Sequence, residues 1–502
     1  MFKIQLLLFY SCSTDSFTCV FFCFAFNGIP YNIYSLQVIV QHGMGQENGG
    51  HQSARVGVLF VGIFARLVAG LSSSNLKLRR SDYVSPMHST PKLRECYYLM
   101  QHNMSAYEGE ACHHNPLSIF LVHTFGKALN HPVYGDFSFL VLFILLDVLS
   151  GYLLFSFGNH IVGTVKRGER REDATDGGGF IFHNELSKLS AGFKAILPTV
   201  MFAVALLHPY AILSCGALST GGVSRFLLVC ALNSVGVKNH LLAVLFGALA
   251  AFQDLSVLTV LLPLFICLAK EKVADDDGVR RGRGGEGGRR VGGEVVQINW
   301  SALVSTIFAT GCLFFVFSYV FSLLLWERQD DRVHSAAFLW RLSFGDNAPN
   351  AGLCWYFFAE VFDRFKQYFV FAFNAFPFTL VIPLCIYFLD RPLTLISCML
   401  VITSIVTPYT NFSDLVLPAA LFPACSNSKH GLQLYFVSFI GICVTSIMVP
   451  VMSHKWLVAG SANANYLYNQ NLAFCMLHLI LVSRTAFTKD RSSSLPEKEK
   501  SD

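Results

Sequence analysis

The stretch WSALVSTIFATGCLFFVFSYVFSLLLW, which opens at Trp300 and closes at Trp326, contains no charged side chain. A helix needs ~20 mostly apolar residues to cross a bilayer, because hydrocarbon offers no partner to an unpaired backbone group. This stretch meets that length, and it makes lipid the solvent of the fold. Working outward, residues 137–157 carry only Asp147, and residues 240–269 carry only Asp254 and are long enough for two tightly linked passes. The composition agrees: 53% of the 502 residues are hydrophobic, 14% are charged, and the mean hydropathy is +0.49, far from the balance of a soluble domain. The expected fold is all-α, a polytopic transmembrane helical bundle of about 10–12 helices.

Charge gives the bundle its sidedness. Residues 159–194 hold Lys166, Arg167, Arg170, Arg171, Lys188 and Lys194, and residues 270–299 hold Arg280, Arg281, Arg283, Arg289 and Arg290 among glycines. Excess Lys and Arg marks the cytoplasmic side. Two cytoplasmic loops must be separated by an even number of passes, and about four fit between them, centred near Val204, Val229, Leu245 and Leu262. Residues 270–299 also read as disordered, since glycine and charge bury no apolar surface. Parity then places the loop 327–352 in the lumen, and the loop 72–115 faces the lumen too, provided that the apolar pair at 116–129 and 137–157 contains one full span. Residues 1–53, with an apolar patch at 17–26, form an extension that lacks the strongly basic start of a signal peptide. The membrane domain is expected over 54–487, followed by a polar tail at 488–502.

The net charge of +5 is small for this length and gives no basic face for nucleic acid. The fifteen cysteines include no CxxC pair, and most lie in apolar runs where they read as core packing. Cys96 and Cys112 share one polar loop and can pair if that loop lies in an oxidising lumen. Glu108, Glu110, His113 and His114 are ligand types, but their spacing does not put two histidines on one helix face, so no metal site is expected. No cofactor motif and no soluble-type catalytic site is present. Intramembrane polar residues are costly and functional candidates by default; here they are Asp147, Gln253, Asp254, Glu360, Asp363, Asn374 and Asp414. Glu360, Asp363 and Arg364 stand at helical spacing beside Trp355, Tyr356 and Phe357, as in an amphipathic interfacial helix. Asn463 and Asn465 stand i, i+2 in a Gly/Ala/Ser setting. Their amides suit the hydroxyls and phosphate oxygens of a lipid head group, or one of them caps a helix that starts before Tyr466.

Four segments carry a family resemblance: HPYAILSC from His208, ALAAFQDLSVLTVLLP from Ala248, WYFFAEVFDRF from Trp355 and KWLVAGSANANYLY from Lys455. In this order they resemble PIG-U, the polytopic subunit of the glycosylphosphatidylinositol (GPI) transamidase complex. The likeness runs over residues 55–486 and leaves out the extension and the Gly/Arg-rich loop. It implies a multi-pass protein of the endoplasmic reticulum membrane that works with the other transamidase subunits and holds the GPI glycolipid, while another subunit does the cleavage and transfer. It makes this chain an accessory subunit and not itself an enzyme, and assigns GPI contact to Asn463 and Asn465. AYEGEACHHNPLSIFLVHTF and LLDVLSGYLLF are also similar to the start of GPI mannosyltransferases, which use dolichol-phosphate-mannose and place acidic residues, often as Asp-x-Asp, in the first luminal loop. That loop offers only Asp82, Glu95, Glu108 and Glu110, with no Asp-x-Asp, so a related scaffold without catalysis is expected. A transporter needs broken helices in matching halves, and no such pairing is visible.

Overall fold

In a computed structural model of the chain, residues 4–5, 25–26, 49–72, 83–109, 112–128, 135–170, 182–273, 295–324, 335–425 and 432–487 are described. The chain falls into two units, 1–57 and 58–502. The described parts of the first are the paired strands Ile4–Gln5 and Ala25–Phe26 and the opening of a helix. The helices are α1 (Gly49–Ser72), α2 (Thr90–Gln101), α3 (Pro116–Ala128), α4 (Gly135–Arg170), α5 (Ala191–Leu207), α6 (Pro209–Gly216), α7 (Gly221–Gly236) and α8 (His240–Gln253). They continue with α9 (Leu258–Ala269), α10 (Trp300–Leu324), α11 (Cys354–Glu360), α12 (Asp363–Tyr387), α13 (Pro392–Val406), α14 (Val416–Cys425), α15 (Leu432–Leu457) and α16 (Ala464–Phe487).

Hydrogen bonds sort the turns between these helices into two ends. At one end, Glu185 accepts from the backbone N–H groups of Leu393 and Thr394, both at 2.9 Å. Lys238 Nζ donates to the Lys270 carbonyl at 3.1 Å, and Lys270 Nζ to that of Leu389. This end therefore gathers both basic loops. At the far end Ser89 bridges Ser219, Asn115 Nδ2 donates to the Phe252 carbonyl, Arg341 pairs with Asp254 at 2.5 Å, and Tyr409 stacks on Trp340 at 5.0 Å. Four traverses, α5 with α6, α7, α8 and α9, separate the two basic loops, as the charge pattern required. The pair α3 and α4 contains one traverse: α3 starts beside Phe252, and the first turn of α4 returns to the same end, where Asp136 pairs with Arg94 of α2. With α2, α3 and α11 set aside and α6 continuing α5, the described helices make twelve traverses.

Six of the helices are long and apolar enough to cross a membrane, and the windows of α10 and α12 are only 11% and 17% buried. The shorter apolar helices, among them α9 and α13, are lined with buried residues and build the main core. The short helices α9 and α13 are thus enclosed by protein and the long α10 and α12 lie at its surface, while the long α4 and α5–α6, 44% and 50% buried, fall between.

Two features show why the sequence packs this way. Pro209 has no N–H to donate and ends α5; His208 Nδ1 instead accepts from Tyr210 N at 3.3 Å and opens α6. Gly216 lets α6 meet α1, since a Cβ there would lie 2.8 Å from that of Ala69.

Two sequence expectations change. Glu360, Asp363 and Arg364 do not share a helix, because Val361 and Phe362 turn extended (ψ 138° and 137°) and separate α11 from α12. Disorder over 270–299 gives way at both margins, where Lys270–Val273 pairs antiparallel with Val295–Ile298. Residues 274–294, like most of 1–53 and all of 488–502, lie outside the described residues.

Candidate functional site

The turn between α15 and α16 carries Asn463 and Asn465. Helix α15 closes through Val458 N and Ala459 N, each 3.0 Å from the His454 carbonyl, and Ser461 N, 2.9 Å from that of Lys455. Gly460 takes a φ of +61° with open space around it, a conformation that costs glycine little. Asn463 Oδ1 then accepts from Tyr466 N at 3.3 Å, satisfying an orphan donor of the first turn of α16. Asn465 Oδ1 accepts from the Tyr356 hydroxyl on α11. Both residues are exposed. The helix-cap reading holds for Asn463: the carbonyl oxygens are used by the protein, and the Nδ2 donors have no partner among the described residues.

Aromatic rings lie behind this polar rim. Tyr356 stacks on Tyr468 at 4.4 Å, Trp355 stacks on Trp456 at 5.9 Å, and Trp355 meets Tyr468 edge-on at 6.2 Å. The indole N–H of Trp355 is buried without a hydrogen-bond partner. His454 and Lys455 are exposed one turn away at the end of α15. Amide donors and a cation over an apolar aromatic wall suit an amphiphile whose head carries hydroxyl or phosphate oxygens.

Five of the other polar candidates are bound into the scaffold. Asp147 offers one oxygen to Arg66 Nε at 2.9 Å and the other to Arg225 Nη2 at 2.6 Å. Arg66 Nη1 also takes the Leu206 carbonyl at 2.7 Å, beside the break at Pro209. Gln253 donates to Ser118 Oγ at 2.7 Å, Asn374 to the Leu342 and Val370 carbonyls at 2.7 and 2.9 Å, and Asp414 closes a capping box with Asn411. Asp254 accepts from Ser256 N at 2.9 Å besides Arg341. Glu360 and Asp363 are exposed.

The first far-end loop brings histidines, not carboxylates, into the buried polar region. His88 meets Thr220 Oγ1 at 3.2 Å, and burial, with Arg341 nearby, outweighs Asp254 and lowers its pKa to about 4. Burial likewise takes His114 to about 3. Its neighbours Cys96 and Cys112 form a disulfide, so their sulfurs offer no thiolate to a metal. His113 stacks on Trp340 at 3.7 Å. Glu95 and Glu108 point to solvent, and Asp82 and Glu110 lie outside the described residues.

Sequence reasoning found the two asparagines but missed Tyr356 as a partner, which lies 109 positions from Asn465. It also passed over Arg66, a charge inside the first span.

A family model described as "GPI transamidase subunit PIG-U" matches residues 59–474. The chain is 28% identical over 443 residues to the "GPI-anchor transamidase component PIGU" of Mus musculus, covering 85% of this chain and 91% of that protein. The human protein of the same name is also 28% identical, over 436 residues. The "GPI transamidase component GAB1" of Saccharomyces cerevisiae is 22% identical over 409 residues, 79% of this chain and 83% of that relative.

Proposed function

Because the chain belongs to the PIG-U family of GPI transamidase subunits, we propose that it acts in the endoplasmic reticulum membrane as a non-catalytic subunit, holding the GPI glycolipid at the α15–α16 turn for transfer to protein C-termini. The observation that carries this reading is the division of labour in the two amides. Their oxygens accept from Tyr466 N and the Tyr356 hydroxyl, while their Nδ2 donors have no partner among the described residues, and both asparagines, like Lys455, are exposed. Those donors are the groups that a sugar hydroxyl or phosphate oxygen accepts from, and the aromatic wall suits the apolar part of the same molecule. The mannosyltransferase reading gains nothing from the relatives, which are named as transamidase components.

The test separates ligand from scaffold. Asn463→Asp with Asn465→Asp keeps both acceptor oxygens, and so the helix cap and the Tyr356 bond, but removes the amide donors and adds negative charge. Losing a donor to a desolvated oxygen costs ~1–3 kcal/mol, roughly 5- to 150-fold in affinity. In cells lacking the native subunit, the double variant should reach normal abundance and co-purify with the other transamidase subunits, while complete GPI accumulates and the proprotein stays unprocessed. Loss of the variant from the complex would make the pair structural, and normal anchoring would remove it from the site.

A further inference from the structure

Three triplets in the sequence have the form Asn-x-Ser or Asn-x-Thr with x other than proline: Asn103-Met104-Ser105, Asn299-Trp300-Ser301 and Asn411-Phe412-Ser413. This is the acceptor pattern for an N-linked oligosaccharide, and the fold treats the three differently.

Asn411 is 1% exposed. Its Oδ1 accepts from Ser413 N at 2.9 Å and from the Ser413 hydroxyl, inside the capping box that starts the turn before α14. A glycan has no room there. Asn299 lies at the end of the bundle that gathers the basic loops, its N–H 2.9 Å from the Ala269 carbonyl. Its Oδ1 accepts from Ser301 Oγ at 2.7 Å and Ala302 N at 3.0 Å as α10 begins.

Asn103 differs in each respect. It is exposed, and its φ of +56° sets it in a left-handed turn just past the end of α2, a conformation that asparagine tolerates better than most residues. Its backbone N–H bonds to the Met100 carbonyl at 3.2 Å, and its side chain has no partner among the described residues. Ser105 Oγ accepts from Tyr107 N at 3.2 Å. The triplet sits at the tip of the loop stapled by Cys96 and Cys112. That loop belongs to the far end of the bundle, where Lys92 approaches Asp346 at 4.0 Å and His113 stacks on Trp340.

We propose that Asn103 is an N-glycosylation site. The inference rests on the reading above, in which the end opposite the basic loops faces the lumen. In the reaction Asn103 Nδ2 attacks the anomeric carbon of an oligosaccharide linked to a lipid pyrophosphate. The new N–C bond replaces the C–O bond to the pyrophosphate, which leaves as the lipid pyrophosphate, and the amide gives up one proton to the transferase.

The test uses the full chain made in cells and treated with a peptide N-glycosidase. The native chain should gain mobility by the mass of one glycan. Asn103→Asp, which keeps an αL-tolerant residue, should migrate at the deglycosylated position untreated, whereas Asn299→Asp should still shift. A reporter, Glu108→Asn with Glu110→Ser in the Asn103→Asp background, writes a fresh acceptor triplet into the same loop. If the native chain does not shift but the reporter does, the site is refuted and the topology stands. If neither shifts, the far end does not face the lumen and both readings fail. A shift that persists in Asn103→Asp places the glycan elsewhere and also overturns the proposal.

Discussion

Replacing Asp147 by asparagine tests the charge arrangement at the centre of the bundle. Arg66 is fully buried, Asp147 is 4% exposed and Arg225 is 11% exposed, and each carboxylate oxygen serves one guanidinium. The triad carries one net positive charge. The substituted amide would be nearly the same size as the carboxylate but neutral, so the site would hold two unbalanced cations. Removing one partner from a buried ion pair costs ~3–5 kcal/mol. Arg66→Met, in contrast, leaves the neutral Asp147–Arg225 pair and frees the Leu206 and Gly62 carbonyls, at a cost of ~1–3 kcal/mol. The expected order is therefore that Asp147→Asn destabilises more than Arg66→Met, and that the double variant is better than Asp147→Asn alone because the charge count returns to one. Thermal melting of the detergent-purified protein, followed by size-exclusion fluorescence, reads this order; for a chain of this length a loss of ~3–5 kcal/mol corresponds to a fall of roughly 3–5 °C. Melting of Asp147→Asn within about 1–2 °C of the native protein, or a double variant worse than either single one, would refute the reasoning.

Two further expectations concern the loops. Glu185→Gln should loosen the start of α13, because Gln turns one of the oxygens that meet Leu393 N, Thr394 N and the Thr394 hydroxyl into a donor facing donors; the cost is ~1–3 kcal/mol, and amide exchange at Leu393 and Thr394 should quicken while that at α10 does not. Stability should also fall with acid through His88 and His114, whose folded pKa values of about 4 and about 3 lie below the ordinary 6.5. Below pH 6.5 the unfolded chain binds protons that the folded chain refuses, so the stability present above 6.5 drains as pH falls toward 4, by about 4 kcal/mol at pH 5 for the two together. Glu185, which burial raises above the ordinary carboxylate value, works in the opposite sense. The His88→Gln, His114→Gln protein should show a flatter profile between pH 7.5 and 5, and an unchanged slope would count against the assignment.

The spans were legible because hydropathy is local: each helix declares its solvent within ~20 residues, and the parity of the basic loops followed from that and from charge. The pairings were not. Asp147 stood out as an acid in an apolar run, but its partners Arg66 and Arg225 are 81 and 78 positions away, and only packing brings them together. Glu185 caps a helix 208 residues downstream, where Pro392 and Arg391 give no sign of needing a carboxylate. The break at Val361 and Phe362 involves neither proline nor glycine, so helical spacing misled the reading of Glu360 and Asp363. At the candidate site, the two amides announced themselves by type and setting, while Tyr356 did not.

Helix length explains why so few polar groups at the far end remain exposed. A 12-residue helix such as α9 rises ~18 Å, well short of a hydrocarbon core of ~30 Å. Turns that join short helices therefore sit below the membrane surface, where irregular backbone is tolerated only if protein encloses it. The turns at 217–220 and 407–415 are almost wholly buried, and that at 254–257 is at most half-exposed. Their polar groups are used up inside the protein: Thr410 Oγ1 donates to the Ser404 carbonyl at 2.7 Å, and Asn350 Nδ2 to the Pro408 carbonyl at 3.0 Å. The turn at 458–463 joins α15 and α16, each longer than 20 residues, and it is exposed along nearly all its length. Long helices carry this turn outward from the buried turns, and with it the Nδ2 donors of Asn463 and Asn465, which have no partner among the described residues. A polar head group anchored by its lipid can meet such donors without leaving the membrane plane, which is what the proposed role asks of this turn.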